Sequence, residues 1–245
     1  MILSHSHKFI AFKTRKTGGT SFEIALSGYL AANDVITPIA PDDEAIRASL
    51  GFTGPQNHAL PGVTGSVAGG KFYNHMGAEE LRSMVSAPVF DGYAKVAIVR
   101  NPFDYVVSWY FWERSRIAET SREDFRRWLV SQFERRPEIE ADYRQRRRPN
   151  PGVFSSNRMI THIGGACAMD IMLRYEHFQE DAARFATTVG LPASLTAVYI
   201  EIRAKGNYRP AAATALTMFE GFTEGEAMIR TSFAEDIEKY GYELT

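Results

Sequence analysis

Nine consecutive residues, Lys13-Thr14-Arg15-Lys16-Thr17-Gly18-Gly19-Thr20-Ser21, put cations, hydroxyls and paired glycines into one short segment. Such a segment can cradle a phosphate. Its glycines let backbone N–H groups approach an anion, Arg15 and Lys16 bring positive charge, and Thr17, Thr20 and Ser21 can donate hydrogen bonds. The order is not that of the Walker A motif, which puts its Lys after the second glycine and before Ser or Thr. Here Lys16 precedes Gly18 and Gly19, so a nucleotide kinase is disfavoured. Taken alone, the segment could also be a solvated basic turn.

Holding an anion in place requires rigid elements on either side of the loop. Phe9-Ile10-Ala11-Phe12 is apolar and β-favouring, and Phe22, Leu26, Tyr29 and Leu30 recur at helical spacing behind Thr20 or Ser21 as cap. The unit reads strand, loop, helix, with the positive end of the helix at the loop. A second such unit begins at Lys95. Val96-Ala97-Ile98-Val99 is a buried-strand run, Arg100-Asn101-Pro102 a turn, and Asp104 to Ile117 a helix. Arg100 offers a planar fork suited to phosphate oxygens. Asp104 reads as a capping or orienting residue rather than a ligand.

Further along, Asp170 to Tyr175 and Ala197 to Ile202 are strand candidates. Phe178 to Val189 is a helix stopped by Gly190 and Pro192, and Glu224 to Tyr240 is a terminal helix. Thr37 to Gly70 reads as covering segments with a short helix near Asp43 to Leu50, and residues 114–157 as a charged helical insertion. Alternating strands and helices predict one α/β domain over residues 1–245. Its central parallel sheet is flanked by helices, with ligand at the carboxyl ends of the strands.

The composition agrees with a globule: 245 residues, 44% hydrophobic and 23% charged. Lys plus Arg (28) balance Asp plus Glu (29), which gives no field for wrapping nucleic acid, so an anion site has to be local. The single cysteine, Cys167, cannot form an internal disulfide and reads as a buried thiol, and a cytoplasmic location is the simplest expectation. No stretch reaches the roughly 20 apolar residues of a transmembrane span, and Met1 to Phe12 lacks the apolar core of a signal peptide. His5 and His7 could pair on a metal, but no third ligand suggests itself and no metal is assigned.

The two loops together resemble the sulfotransferases that use 3′-phosphoadenosine-5′-phosphosulfate (PAPS), above all the carbohydrate-type and related bacterial members. Strand, Lys16-Thr17-Gly18-Gly19-Thr20-Ser21, helix is similar to their 5′-phosphosulfate loop. Val99-Arg100-Asn101-Pro102 with Ser108 is similar to their 3′-phosphate segment. The resemblance implies a P-loop-like fold, Lys16 on the bridging oxygen or 5′-phosphate, and Arg100 and Ser108 on the 3′-phosphate. It also implies release of 3′,5′-diphosphoadenosine, with no metal in the scheme. Leu173-Arg174-Tyr175-Glu176 resembles the family's strand-to-helix segment, which would set Tyr175 beside the adenine. Arg203-Ala204-Lys205-Gly206 partly resembles its basic glycine loop, which brings in Lys205 and Gly206, although Ala204 breaks the pattern.

Sulfuryl transfer to a hydroxyl needs a base, and His75, between the two loops in sequence where members of the family often place a catalytic His, is the candidate, with His58 in reserve. A capping role before the helix Glu79 to Val85 is the alternative for His75. The acceptor is expected to be a glycan or other small hydroxylated molecule. Trp109, Trp112 and Trp128 could supply a stacking platform for a sugar, although Trp109 reads as core. The rival functions are an ATP-dependent phosphotransferase and a nucleotide-binding module without turnover. The oligomeric state is not legible.

Overall fold

The computed structural model describes residues 1–59, 70–115, 121–202 and 208–245. In chain order they form β1 (Ile2–Ser4), β2 (Phe9–Ala11), α1 (Gly19–Ser27), β3 (Val35–Ile36), α2 (Pro41–Ser49), α3 (Ala78–Met84), α4 (Ala87–Gly92), β4 (Ala94–Val99) and α5 (Pro102–Glu113). Then come α6 (Arg122–Glu134), α7 (Arg136–Arg144), α8 (Ser156–Thr161), β5 (His162–Ile163), β6 (Ala166–Cys167) and β7 (Ile171–Arg174). Last are α9 (Phe178–Thr188), α10 (Ser194–Glu201), α11 (Ala215–Phe219), α12 (Thr223–Ser232) and α13 (Ala234–Tyr240). The architecture is α/β. The chain divides into two compact units, Met1–Val99 with Arg158–Ala204, and Arg100–Asn157 with Lys205–Thr245.

The first unit is built on a five-stranded sheet in the order β3-β1-β2-β4-β7. Its strands are apolar on both faces because both faces are covered. Alternate residues Ile2, Phe9, Ala11, Val96, Ile98 and Leu173 pack with Phe22, Ala25 and Leu26 of α1 and with Phe178 and Phe185 of α9. Their neighbours Leu3, Ile10 and Ala97, with Phe12 just beyond β2, pack with Leu81 of α3, Phe90 of α4 and Ile160 of α8. Edge-to-face contacts at 5.4 Å, Phe22 on Phe178 and Phe9 on Phe185, tie the first layer together.

The sheet is mixed, which corrects the wholly parallel sheet expected from the sequence. β2, β4 and β7 are parallel, whereas β1 runs antiparallel to both β2 and β3. The cause lies in residues 5–8, which return the chain too quickly for a crossover. Lys8 takes a left-handed backbone (φ 52°), and Asp34 accepts from His5 N (2.6 Å), Ser6 N (3.0 Å) and Ser6 Oγ (2.7 Å).

Three smaller expectations also change. Ala197 to Ile202, read as a strand from Val198, Tyr199 and Ile200, lies in and just after α10. Leu195, Val198 and Tyr199, at helical spacing, meet the core while Ile200 is exposed. The terminal helix breaks at Phe233 into α12 and α13. Cys167 is exposed in the small β5–β6 hairpin instead of buried.

The second unit is helical with an aromatic core, including Phe103, Tyr105, Trp109 and Tyr110 of α5, Phe125 and Trp128 of α6, and Phe219. Trp109 Nε1 and Trp128 Nε1 donate to the two carboxylate oxygens of Glu113 at 2.8 and 2.9 Å. Those two indoles are buried, so they are core and not a platform for a sugar. Among the described residues no helix is long and apolar enough to cross a membrane.

Candidate functional site

The glycine loop of the first unit joins the end of β2 to the start of α1. Phe12 N extends the pairing with β4 by donating to Val96 O (2.8 Å), and Thr14 Oγ1 donates to Ile98 O (2.7 Å). Thr14 and Thr17 hydroxyls meet at 2.8 Å, so the loop is pinned to the neighbouring strand from within. Lys16 (φ 58°) and Gly18 (φ 78°) turn the chain through left-handed conformations. Gly18, not Thr20 or Ser21, is the N-cap of α1, and no side chain caps the helix. Helix geometry leaves the first N–H groups of α1 without intrahelical acceptors, and a left-handed glycine supplies none in their place. That arrangement suits an anion.

The sequence-predicted loop residues differ in access. Arg15, Lys16, Gly18 and Thr20 are partly exposed, whereas Thr17, Gly19 and Ser21 are buried. The Ser21 hydroxyl donates to Ile202 O at 3.0 Å. A Cβ on Gly19 would stand 3.1 Å from Lys13 Cγ and 3.2 Å from Thr14 O, so the loop folds closely over its own first residues.

Lys13 is turned inward. Its Nζ lies 2.9 Å from Glu23 Oε2 on α1, with both side chains buried, and Glu23 Oε1 is 2.6 Å from the Met1 amino group. Burial alone would raise the Glu23 pKa, but the Met1 amine and Lys13 outweigh it and hold the carboxyl at about 2. Glu23 went unnoticed in the sequence, where an acid between Phe22 and Ile24 on a buried helix was the available signal. Glu23→Ala should cost about 3–5 kcal/mol in denaturant unfolding, because it strands a buried lysine. The depressed carboxyl gives stability that is complete above its ordinary 4.5 and lost as the pH falls toward about 2. The variant should lack that acid dependence.

His75 sits after Phe72 in a left-handed turn (φ 63°) and meets the loop. Its Nδ1 is 2.8 Å from Lys13 O, and since a carbonyl only accepts, Nδ1 carries the proton and Nε2 the lone pair. Burial first, then the charges of Arg15 and Lys13, lower its pKa well below 6.5. The ring is neutral at pH 7, in the tautomer that a base at Nε2 requires. His58 is half-buried, and its carbonyl accepts from Phe72 N at 2.8 Å.

Two tyrosines close one side of the loop. A Cβ placed on Gly18 would lie 2.6 Å from the Tyr199 hydroxyl and 3.1 Å from Cε2 of Tyr175. Tyr175, expected as the last residue of a strand from Asp170, lies just after β7, and Tyr199 was hidden in a segment read as strand.

In the second unit Arg100, the residue directly after β4, is held by Asp104. Its Nε donates to Asp104 Oδ2 at 2.7 Å and its Nη2 donates to the same oxygen, while Arg209 Nη1 donates to Asp104 Oδ1 at 2.5 Å. Burial opposes ionisation of Asp104, and Arg100 and Arg209 overcome it, so the carboxyl stays below its usual range. Asp104 therefore orients, while Asn101 caps α5 by accepting from Phe103 N at 3.1 Å. Ser108 is half-buried on α5. Arg209 was not anticipated. Lys205 and Gly206 lie outside the described residues. Among the described residues no three His, Cys, Asp or Glu side chains gather where they could hold a metal.

Comparisons with protein-family models, curated proteins and solved structures give no match.

Proposed function

We propose that this chain is a sulfotransferase that moves a sulfuryl group from PAPS to the hydroxyl of a glycan or other small acceptor, on a P-loop-like fold. The observation that carries the reading is a glycine loop at an uncapped helix N-terminus whose first residue, Lys13, fixes the tautomer of a neutral histidine. The acceptor O–H proton passes to His75 Nε2 as the acceptor oxygen bonds to sulfur. The bond from sulfur to the 5′-phosphate oxygen breaks, and its electron pair stays on the leaving 3′,5′-diphosphoadenosine. Lys16 and the first-turn N–H groups of α1 stabilise the charge that develops there. Arg15, Thr17, Gly18, Gly19, Thr20 and Ser21 are assigned to the 5′ end of the nucleotide, Tyr175 to the adenine, and Arg100 and Ser108 to the 3′-phosphate. Lys205 and Gly206 retain the role implied by resemblance.

Calorimetry tests the nucleotide assignment. 3′,5′-Diphosphoadenosine should bind more tightly than AMP, and Arg100→Ala should weaken it by about 2 kcal/mol or more through loss of a charge-assisted contact. AMP affinity should hold in that variant. Equal affinities of the wild-type protein for both nucleotides would remove the reason to prefer PAPS over ATP.

A further inference from the structure

We infer that Glu23 is a positioning residue for the base: by holding the Lys13 ammonium inward it fixes the peptide carbonyl that takes the Nδ1 proton of His75. That His75 removes the acceptor's proton rests on the sulfotransferase reading; the positioning itself does not. Lys13 faces two ways. Its Nζ lies 2.9 Å from Glu23 Oε2, with both side chains buried, and its carbonyl oxygen is 2.8 Å from His75 Nδ1. The stem between them is enclosed as well, since a Cβ on Gly19 would stand 3.1 Å from Lys13 Cγ.

The plane of the Lys13–Thr14 peptide is set from both sides. On one side Glu23 holds the Lys13 side chain and is itself held by the Met1 amino group at 2.6 Å. On the other, Thr14 Oγ1 donates to Ile98 O at 2.7 Å and ties the next residue to β4. Without the carboxylate, the long lysine stem is drawn toward water, and the carbonyl loses one of its restraints. A hydrogen bond from a ring N–H weakens steeply as its acceptor swings out of line. Once that bond is lost, the imidazole proton is free to sit on either nitrogen, and the tautomer with Nε2–H has no lone pair there for an acceptor's proton. Glu23 therefore acts through Lys13 and not on the reacting atoms.

The test is ¹⁵N NMR of the histidine ring nitrogens at pH 7, without nucleotide, in the wild-type protein, Glu23→Gln and Lys13→Met. The signals missing from His75→Ala identify His75. Glu23→Gln removes the charge that holds Lys13. Lys13→Met keeps the apolar stem and leaves Glu23 beside the Met1 amino group, so it strands no buried lysine and keeps the test open if Glu23→Gln fails to fold. The wild-type ring should show a protonated Nδ1 and a bare Nε2, and the folded variants a mixture that includes Nε2–H. A single Nδ1–H tautomer in folded Lys13→Met would overturn the proposal, and so would a wild-type ring that is already mixed. Turnover by Lys13→Met should fall about tenfold or more, short of the roughly 10⁴-fold cost of a base held in the wrong tautomer, while affinity for 3′,5′-diphosphoadenosine stays within about twofold. A change of tautomer in a protein that transfers no label from PAPS would uphold the positioning and sink the sulfotransferase reading.

Discussion

His75→Ala is expected to lower turnover of an alkyl alcohol acceptor by about 10²–10⁴-fold, the usual contribution of a positioned general base, while nucleotide binding persists. The Nδ1–H bond to Lys13 O leaves Nε2 as the basic atom. Burial and the nearby Arg15 and Lys13 charges hold the ring neutral, so the acid limb of the wild-type rate profile should fall below pH 6.5. The direction follows from the sign of the shift. Protonation inactivates the base, and a lowered pKa delays protonation to more acidic conditions. The variant should lose that limb, and a nitrophenol acceptor, whose proton leaves readily, should suffer least. Near-normal turnover of an alkyl alcohol, with chemistry limiting the rate, would pass the role to His58 or a carboxylate.

Lys16→Ala should behave differently, depressing turnover about 10²–10³-fold for every acceptor, nitrophenol included, because it acts on the leaving group. Alanine retains a Cβ at the left-handed position (φ 58°), so the backbone strain of the loop is the same in both proteins. Steady-state rates across acceptors of graded acidity separate the two variants. A Lys16 effect that grew with acceptor pKa would place the lysine on the acceptor side and contradict the division of labour.

Local patterns in the sequence reached the first glycine loop, the run that became β4, and the helix that became α9. The loop carries its own paired glycines, β4 is an apolar run that ends before Pro102, and α9 stops before Gly190 and Pro192; such punctuation is written in neighbouring residues. The antiparallel hairpin of β1 escaped because the turn is stabilised by Asp34, which is remote in sequence from Ser6. α10 escaped because Val198, Tyr199 and Ile200 favour strands, and only packing of Leu195, Val198 and Tyr199 onto the core decides for a helix. The candidate residues divide in the same way: Lys16 and Gly18 were singled out by type and position and Arg100 and His75 with the help of the family resemblance, whereas Glu23, Tyr199 and Arg209 act through contacts with distant residues. Those contacts are Glu23 with Lys13, Tyr199 with Gly18, and Arg209 with Asp104. An acid inside an apolar helix and an arginine beside a proline carry no local signature of the partner they meet.

Transfer of a sulfuryl group is measured by following radiolabelled sulfate from PAPS into a panel of glycans, lipids, phenols and small alcohols. Label is expected in at least one hydroxylated acceptor, with equimolar release of 3′,5′-diphosphoadenosine and loss of both in Lys16→Ala. Tight binding of 3′,5′-diphosphoadenosine with no label in any acceptor, or transfer of the γ-phosphoryl group of ATP in its place, would contradict it.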